Sequence, residues 1–521
     1  MISGLDLLVV GAGPTGLSLA LQAHDLGARV RIVERRPDAF RPSRALIMHA
    51  RTLEVLRPLG VVEALLANAD VSPSVRLHLG SRVVAVDLNG LVLPDTAFPH
   101  LTLLRQLDVE AVLSRALADR GIEVQRGVEL LKLCVHVTDG PRATLSSAAG
   151  VEEVVSRAVA GCDGVASTVR TQSGIGWCGR PYRQEVLLAD VELESDLAPG
   201  IAHVVTAHGG LLFLFALGEQ APWRLMATRR AGPEPLPFGQ SGPPVPAEEL
   251  QRLVDDSALE ARITDLPWST VVRLQHRIAD RYRDGPVFLA GDAAHVNSPA
   301  GGQGMNTGIQ DAINLGWKIA LARHSSQPDV LLDSYEQERR PVARLVRALT
   351  DLVFWAESGT DPLAAFIRAG LAPLGASALP LILRRPALIS QAVRLLSQLP
   401  VSYHTSPLSA ETTTLPRGRL RPGDRLPDGT VTAGGRQLRV HELLARPGVH
   451  IMLHADTRKP AATPSGPYVH VHRLTSIPGR GVMAVRPDGY VGLLSGSVDD
   501  QQLGTWLGLV GTGMPGLATP P

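Results

Sequence analysis

The chain has 521 residues, 45% of them hydrophobic and 19% charged, with a net charge of +1. This length suits about three globular domains, and the near-neutral balance gives no basic footprint for nucleic acid. Three cysteines, Cys134, Cys162 and Cys178, leave an odd thiol and no CxxC pair; this argues against a disulfide framework or a cysteine metal site and fits a reducing, cytoplasmic setting.

In chain order, residues 5–10 (LDLLVV) read as a buried strand. No basic segment precedes them, so they are not read as a signal peptide. Gly11, Gly13 and Gly16 follow in GAGPTG. A helix pattern comes next, with Leu17, Ala20, Leu21 and Leu26 apolar and Gly27 placed to stop it. The next strand, RVRIVE, ends at Glu34, 18 residues beyond Gly16.

Each part has a physical task. Gly11 turns the chain, Gly13 lets the backbone approach a pyrophosphate, and Gly16 lets the helix pack on the sheet. The helix start, with Pro14 as its first residue and Thr15 next, presents free N–H groups (Pro14 itself has none) and a positive dipole end to phosphates. Glu34, with Arg35 beside it, accepts from ribose hydroxyls and repels a 2′-phosphate, which favours FAD or NAD over NADP here.

Two more strand ends carry acids. VVSRAVAGCD (154–163) ends at Asp163, with Ser167 and Arg170 beyond it. PVFLAGD (286–292) ends at Asp292, and Pro299, Gly301, Gly302, Gly304, Met305 and Asn306 then open a long helix, expected to be amphipathic with Ile309, Ile313, Gly316, Ile319 and Ala320 on one side. Asp292 suits a ribityl chain. A helix dipole aimed at a flat ring stabilises the negative charge of a reduced flavin. An NAD enzyme has no use for this second acidic turn, so the reading is FAD.

At these motifs the chain resembles the class A FAD-dependent aromatic hydroxylases, which share the para-hydroxybenzoate hydroxylase fold, and most of all the branch acting on phenols, polyketides and related antibiotics. GAGPTG with Glu34, DGxxSxxR at 163–170 and GDAAHxxxPxGGQGMNTGIQDAxNLGWK at 291–318 carry the resemblance, over roughly residues 1–345. It implies an α/β fold: a Rossmann-like, three-layer FAD domain with a mostly parallel sheet, an inserted antiparallel substrate sheet, and a thioredoxin-like C-terminal domain. It also implies transient NADPH or NADH binding, molecular oxygen as co-substrate and a flavin C4a-hydroperoxide as oxygen donor. By the same resemblance Arg44 sits beside pyrophosphate and flavin, Gln106 contacts the cofactor at a helix start, and Pro299 lies against the flavin.

The expected layout is residues 1–71, 99–175 and 272–398 for the FAD domain with trailing helices, 72–98 and 176–271 for the substrate sheet, 399–427 for a linker and 428–521 for the C-terminal domain. In the substrate sheet, Phe213, Phe215 and Met226 are candidate pocket residues, with ordinary core packing as the alternative. No side chain stands out as a general base: Ile47 and Met48 occupy the stretch where an acid is sought. This favours substrates whose phenol is already acidic, or for which the protein supplies mainly position and dryness.

Residues 369–383 are apolar but broken by two prolines and short of the roughly 20 residues that span a bilayer, so no membrane insertion is expected. His470 and His472 alternate on a strand near His450 and His454, but no carboxylate spacing supports a metal there. The expected function is hydroxylation of a small aromatic or polycyclic substrate, by a chain that can be a homodimer. Baeyer–Villiger oxidation on the same scaffold is one alternative. Binding of an aromatic drug without turnover is another.

Overall fold

Leu7–Val10 is fully buried and pairs in parallel with Val30–Glu34 on one side and Ala158–Gly161 on the other. These strands are apolar throughout because helices cover both faces of such a sheet. The computed structural model describes the chain except residues 1–3, 39–45, 72–73, 80–81, 87–92, 199, 208–209, 218–219, 233–241, 258, 299, 359–384, 412–419, 458–459, 461–465, 476–480 and 513–521. Among the described residues the first sheet has six strands, in the order Arg283–Asp284, Val287–Leu289, Ala158–Gly161, Leu7–Val10, Val30–Glu34, Val124–Arg126. All its pairings are parallel except the one at the Arg283–Asp284 edge.

The expected strand 154–163 is in fact two. Gly150–Val155 belongs to a small antiparallel meander with Glu129–Cys134 and Arg142–Ser147, and Ala158–Gly161 alone enters the parallel sheet. The chain changes sheet at Ser156 and Arg157, an apolar-poor step that the hydrophobic run on either side hides.

Helix Pro14–Asp25 packs across helix Gln303–Ala322 at glycines. A Cβ on Gly316 would lie 2.9 Å from Gln22 Cβ, so the crossing is closer than any side chain allows. The second helix departs from expectation. Instead of one apolar stripe it is buried nearly all round, Asn314, Trp317 and Lys318 included, because Glu338 of helix Pro328–Ser358 and Asp488 of the C-terminal sheet region pack on its polar side.

Among the described residues a second sheet of eight strands runs His295–Val296, Ala261–Ala279, Trp177–Ser195, Trp223–Arg230, Gly210–Phe215, Ile201–Ala207, Ser74–Leu79, Arg82–Val86. Its faces differ. Leu187, Ala189, Leu212, Leu214, Leu225 and Val271 pack under helix Ala247–Asp256. Val186, Leu188, Met226 and Val272 occupy the other side, as strand alternation requires.

A C-terminal sheet, seven-stranded among the described residues, follows, with Val449–His454 parallel to Val469–Leu474 and antiparallel to Val482–Val485. Residues 399–427, expected as a linker, are no bare tether where they are described. Leu399, Tyr403, Leu408, Arg425 and Leu426 are buried, and Ala410–Glu411 adds an edge strand to this sheet. Proline, glycine and threonine content signals irregular backbone, which a docked segment shares with a free one.

Candidate active site

The parallel pairing sets Val10 level with Val33 and Gly161, and Gly161 level with Leu289. Residues 11–16, Glu34, Asp163 and 291–292 therefore leave the sheet at one edge, the carboxyl ends where open α/β sheets bind ligands. Gly11 has a φ of +102°, and a Cβ there would lie 2.4 Å from Cys162 O. Glu34 accepts from the Ala12 N–H at 2.9 Å and from the Arg36 N–H at 3.1 Å, bracing the turn. Arg35 is exposed beside it.

Both helices that start at this edge lack a side-chain cap: Gly13 opens Pro14–Asp25, and Gly302 opens Gln303–Ala322. Their first-turn N–H groups have no partner within the helix. Thr15 locks the two starts together, since Cβ atoms on Gly291 and Gly308 would fall 2.5 Å and 2.4 Å from its Oγ1. Before the second helix, Gly301 and Gly302 turn left-handed at φ +70° and +63°. Space opens in front of Gly304, where an added Cβ meets nothing within 4 Å, and Met305 is half-buried.

Asp163 takes a structural task that the motif did not reveal. Its Oδ2 accepts from the Thr168 and Val169 N–H groups at 2.7 and 3.1 Å, holding the start of a short helix. Its Oδ1 is buried without a hydrogen-bond partner among the described residues. Burial lifts this carboxyl above the ordinary range, against the pull of its hydrogen bonds. Asp292 is exposed at the strand end. Gln106 begins helix Gln106–Ala118 and donates to Glu110 at 2.7 Å. Arg44 and Pro299 lie outside the described residues.

Asn306 commits its side chain to the protein. It accepts from the His49 N–H at 2.8 Å and donates to the Ile47 and Gly302 carbonyls at 2.8 and 2.7 Å. His49 bonds the Gly301 carbonyl at 2.9 Å, and burial pulls its ring down to about 4. The turn before the helix is thus bound to residues 47–49, and a Cβ on Gly302 would meet Ile47 at 2.8 Å.

Asp311, one helical turn deeper, is the brace that residue-by-residue reading missed. It bonds the Gly291 N–H at 3.2 Å, His295 Nε2 at 2.6 Å and Arg339 Nε at 2.7 Å. An acid among apolar residues in mid-helix was the available signal. Orphan helix N–H groups, left-handed glycines and an unpartnered carboxylate oxygen fit a pyrophosphate, a polyol chain and a flat ring that accepts electrons.

Phe213 stands directly opposite Met226 in the neighbouring strand. It stacks on Phe215 at 6.1 Å between ring centroids, and both pack with Leu46, Ile47 and Leu103 of the first domain. Phe215 is buried and Phe213 and Met226 are half-buried. Among the described residues no group of three His, Cys, Asp or Glu is placed to hold a metal. His450 and His472 bond each other at 3.0 Å, and His470 bonds the Pro447 carbonyl. No described helix is long and apolar enough to cross a membrane.

Comparison with known proteins gives the same answer as the geometry. Residues 5–350 match the family described as "FAD binding domain". A flavin-dependent monooxygenase of Mycobacteroides abscessus is 31% identical over 511 residues, covering 95% of this chain and 98% of the relative. The 12-dehydrotetracycline 5-monooxygenase/anhydrotetracycline 6-monooxygenase of Streptomyces rimosus is 32% identical, covering 93% of this chain and 94% of the relative. Among solved structures, the anhydrotetracycline hydroxylase OxyS from Streptomyces rimosus superposes with a TM-score of 0.77 at 27% identity, covering 97% of this chain and 99% of its own. With a family match across the dinucleotide fold and a relative aligned along almost its whole length, this chain belongs to the FAD-binding flavin-dependent monooxygenases.

Proposed function

We propose that this protein hydroxylates a phenolic or polycyclic aromatic substrate, using NADPH or NADH and molecular oxygen. The observation that carries the reading is the apolar wall of Phe213 and Phe215, which packs on Leu46 and Ile47 next to the Gly302 turn, with Met226 opposite Phe213 in the neighbouring strand. Bound FAD supplies reduction by the nicotinamide and activation of oxygen. The protein's part is to hold the cofactor and keep the ring in an apolar cleft. The N–H groups of Gly13, Thr15 and Gly16 take the pyrophosphate side, and Pro14, which has none, opens the helix behind them. Glu34 and Arg35 flank the ribose, Asp292 holds the polyol chain, and Gly302, Gly304, Met305 and Asn306 present the second helix start to the ring. Arg44, Gln106, Asp163 and Pro299 complete the set, on the family pattern. The relatives that act on tetracycline intermediates favour a fused-ring substrate.

The C-terminal sheet, with two parallel strands, two antiparallel neighbours and a closing helix Asp500–Leu509, supports a thioredoxin-like reading. No cysteine lies beyond Cys178, so a structural role is what this domain retains. The test is a panel of phenols, polyketides and ansamycin-type antibiotics, scored by NAD(P)H consumption and by products heavier by one oxygen atom. Product oxygen drawn from water rather than from O₂ overturns the assignment.

A further inference from the structure

Folding places an acid where the sequence shows none. Tyr182 lies where the pairing of Trp177–Ser195 with Ala261–Ala279 shifts, between Pro181 and Glu185. Its hydroxyl donates to the carboxylate of Asp351 on helix Pro328–Ser358. The other carboxylate oxygen accepts from His276 Nδ1 at 2.8 Å. His276 Nε2 in turn accepts from Arg180 Nε at 3.2 Å. That bond leaves Nδ1 as the ring nitrogen that donates to Asp351. The Tyr182 ring rests on the imidazole, with centroids 5.0 Å apart.

Two observations set this cluster at the site. Tyr182 also bonds Ser298, a buried residue in the segment that leads into the Gly301–Gly302 turn. Strand alternation then gives its face: Val272 and Leu274 share the side that carries Leu188 and Met226, and His276 is next in that series. Burial, and then Asp351, raises the Tyr182 hydroxyl above its usual range, so it keeps its proton until a partner offers another. The Asp351 side chain is 30% exposed, which leaves it a route to water.

We propose that Asp351 is the base of this active site, receiving the proton of the substrate's phenolic hydroxyl through Tyr182. The inference rests on the aromatic-hydroxylase reading above. In the step, the substrate O–H proton passes to the Tyr182 oxygen while the Tyr182 proton passes to Asp351. One proton has moved and no electrons are exchanged; a phenolate and a neutral carboxyl remain, and tyrosine is unchanged. The phenolate ring is the richer nucleophile toward activated oxygen. Asp351 then returns its proton to water. His276 and Arg180 are positioning residues that aim the carboxylate.

The experiment uses the full-length, FAD-loaded enzyme, its Tyr182→Phe and Asp351→Asn variants, and phenols of similar size whose acidities run from ionised at neutral pH up to a pKa of about 10. Wild-type enzyme is assayed first. If no phenol yields an oxygenated product, the function proposed above falls before the base is tested. Otherwise kcat/KM for product formation is compared across the panel. Loss of the base penalises only phenols that still carry their proton, so the ratio of ionised to protonated substrate rises about a hundredfold in both variants. Equal loss along the panel marks a structural role and overturns the proposal, as does no loss. If Asp351→Asn fails to retain FAD, Tyr182→Phe, which removes one oxygen atom, decides alone.

Discussion

At Gly11 the φ of +102° and the approach of the Cys162 carbonyl leave no room for even a methyl group. Gly11→Ala therefore meets a left-handed penalty of about 1–2 kcal/mol before the clash is counted. The expected result is a colourless protein with a lowered melting temperature, read by flavin absorbance after desalting. Gly13→Val should lose flavin by a different route, since that residue already has an extended φ of −77° and the new side chain fills space meant for the pyrophosphate. Asp292 is exposed at the strand end, and Asp292→Ala tests its part in holding the flavin. A lost hydrogen bond to a charged group, about 1.5–3 kcal/mol, should weaken FAD by tenfold or more in a fluorescence titration. The cysteines divide by environment: Cys162 is buried, and burial raises its thiol pKa well above the usual range, whereas Cys178 is exposed. Replacing all three with Ser or Ala should leave turnover largely intact; an inactive but flavin-loaded triple variant would reinstate a thiol role.

Helix Gln303–Ala322 serves two partners along its length. Its first turn belongs to the cofactor edge, and its later turns carry Asn314 and Lys318 into a buried ion network centred on Glu338. That carboxylate accepts from Lys318 at 2.7 Å, from Asn314 at 2.7 Å and from both Arg486 Nη atoms at 2.6 and 2.8 Å. Burial opposes its charge, yet Arg486 and Lys318 together hold its pKa below the carboxylate range; burial pulls Lys318 down to about 8. Asp488 bonds Arg486 and Asn314 from the C-terminal side, and the Arg51 guanidinium donates to its carbonyl at 2.7 Å. The C-terminal domain is thus docked on the helix that opens at the flavin edge. Glu338→Ala leaves Lys318 buried without its carboxylate and Arg486 with Asp488 alone, at a cost of about 3–5 kcal/mol. Urea denaturation should show that loss, and flavin retention should fall with it.

The whole molecule holds several histidines in uncharged form. Burial lowers His49, His203 and His472 to about 4 and His450 to about 3. Each ring binds its proton more readily in the unfolded chain, so the stabilisation is complete above the unfolded value near 6.5 and is lost as pH falls toward the folded values. The loss approaches about 1.4 kcal/mol per pH unit for each fully buried ring. Melting temperature should hold from about pH 8 to about pH 7 and drop steeply below about pH 6; an acid-insensitive melt would show that these rings take up protons without unfolding. A second expectation at this scale concerns gating. The chain has no second glycine-rich nucleotide turn, so reduction and oxygenation share one cofactor site. Bound substrate should then accelerate flavin reduction by orders of magnitude in stopped flow, and equal rates with and without substrate would reject the idea.

What the sequence alone determined is what short stretches of chain can specify. A strand, a glycine turn, a helix and an acid at fixed spacing name a dinucleotide edge, because each part acts on its neighbours in the chain. The alternation that paired Phe213 with Phe215 on one face is equally local. The tertiary structure decided everything that depends on meeting across distance. The bonds joining Tyr182 and His276 to Asp351 span 169 and 75 positions, and the one from Arg51 to Asp488 spans 437. It also moved assignments made locally, giving Asn306 and Asp163 structural bonds and burying on nearly all sides a helix expected to be amphipathic. The physical reason is range: backbone turns and periodicity are set within a few residues, whereas a buried charge is tolerable only once a partner arrives, and that partner's place in the chain follows no local pattern.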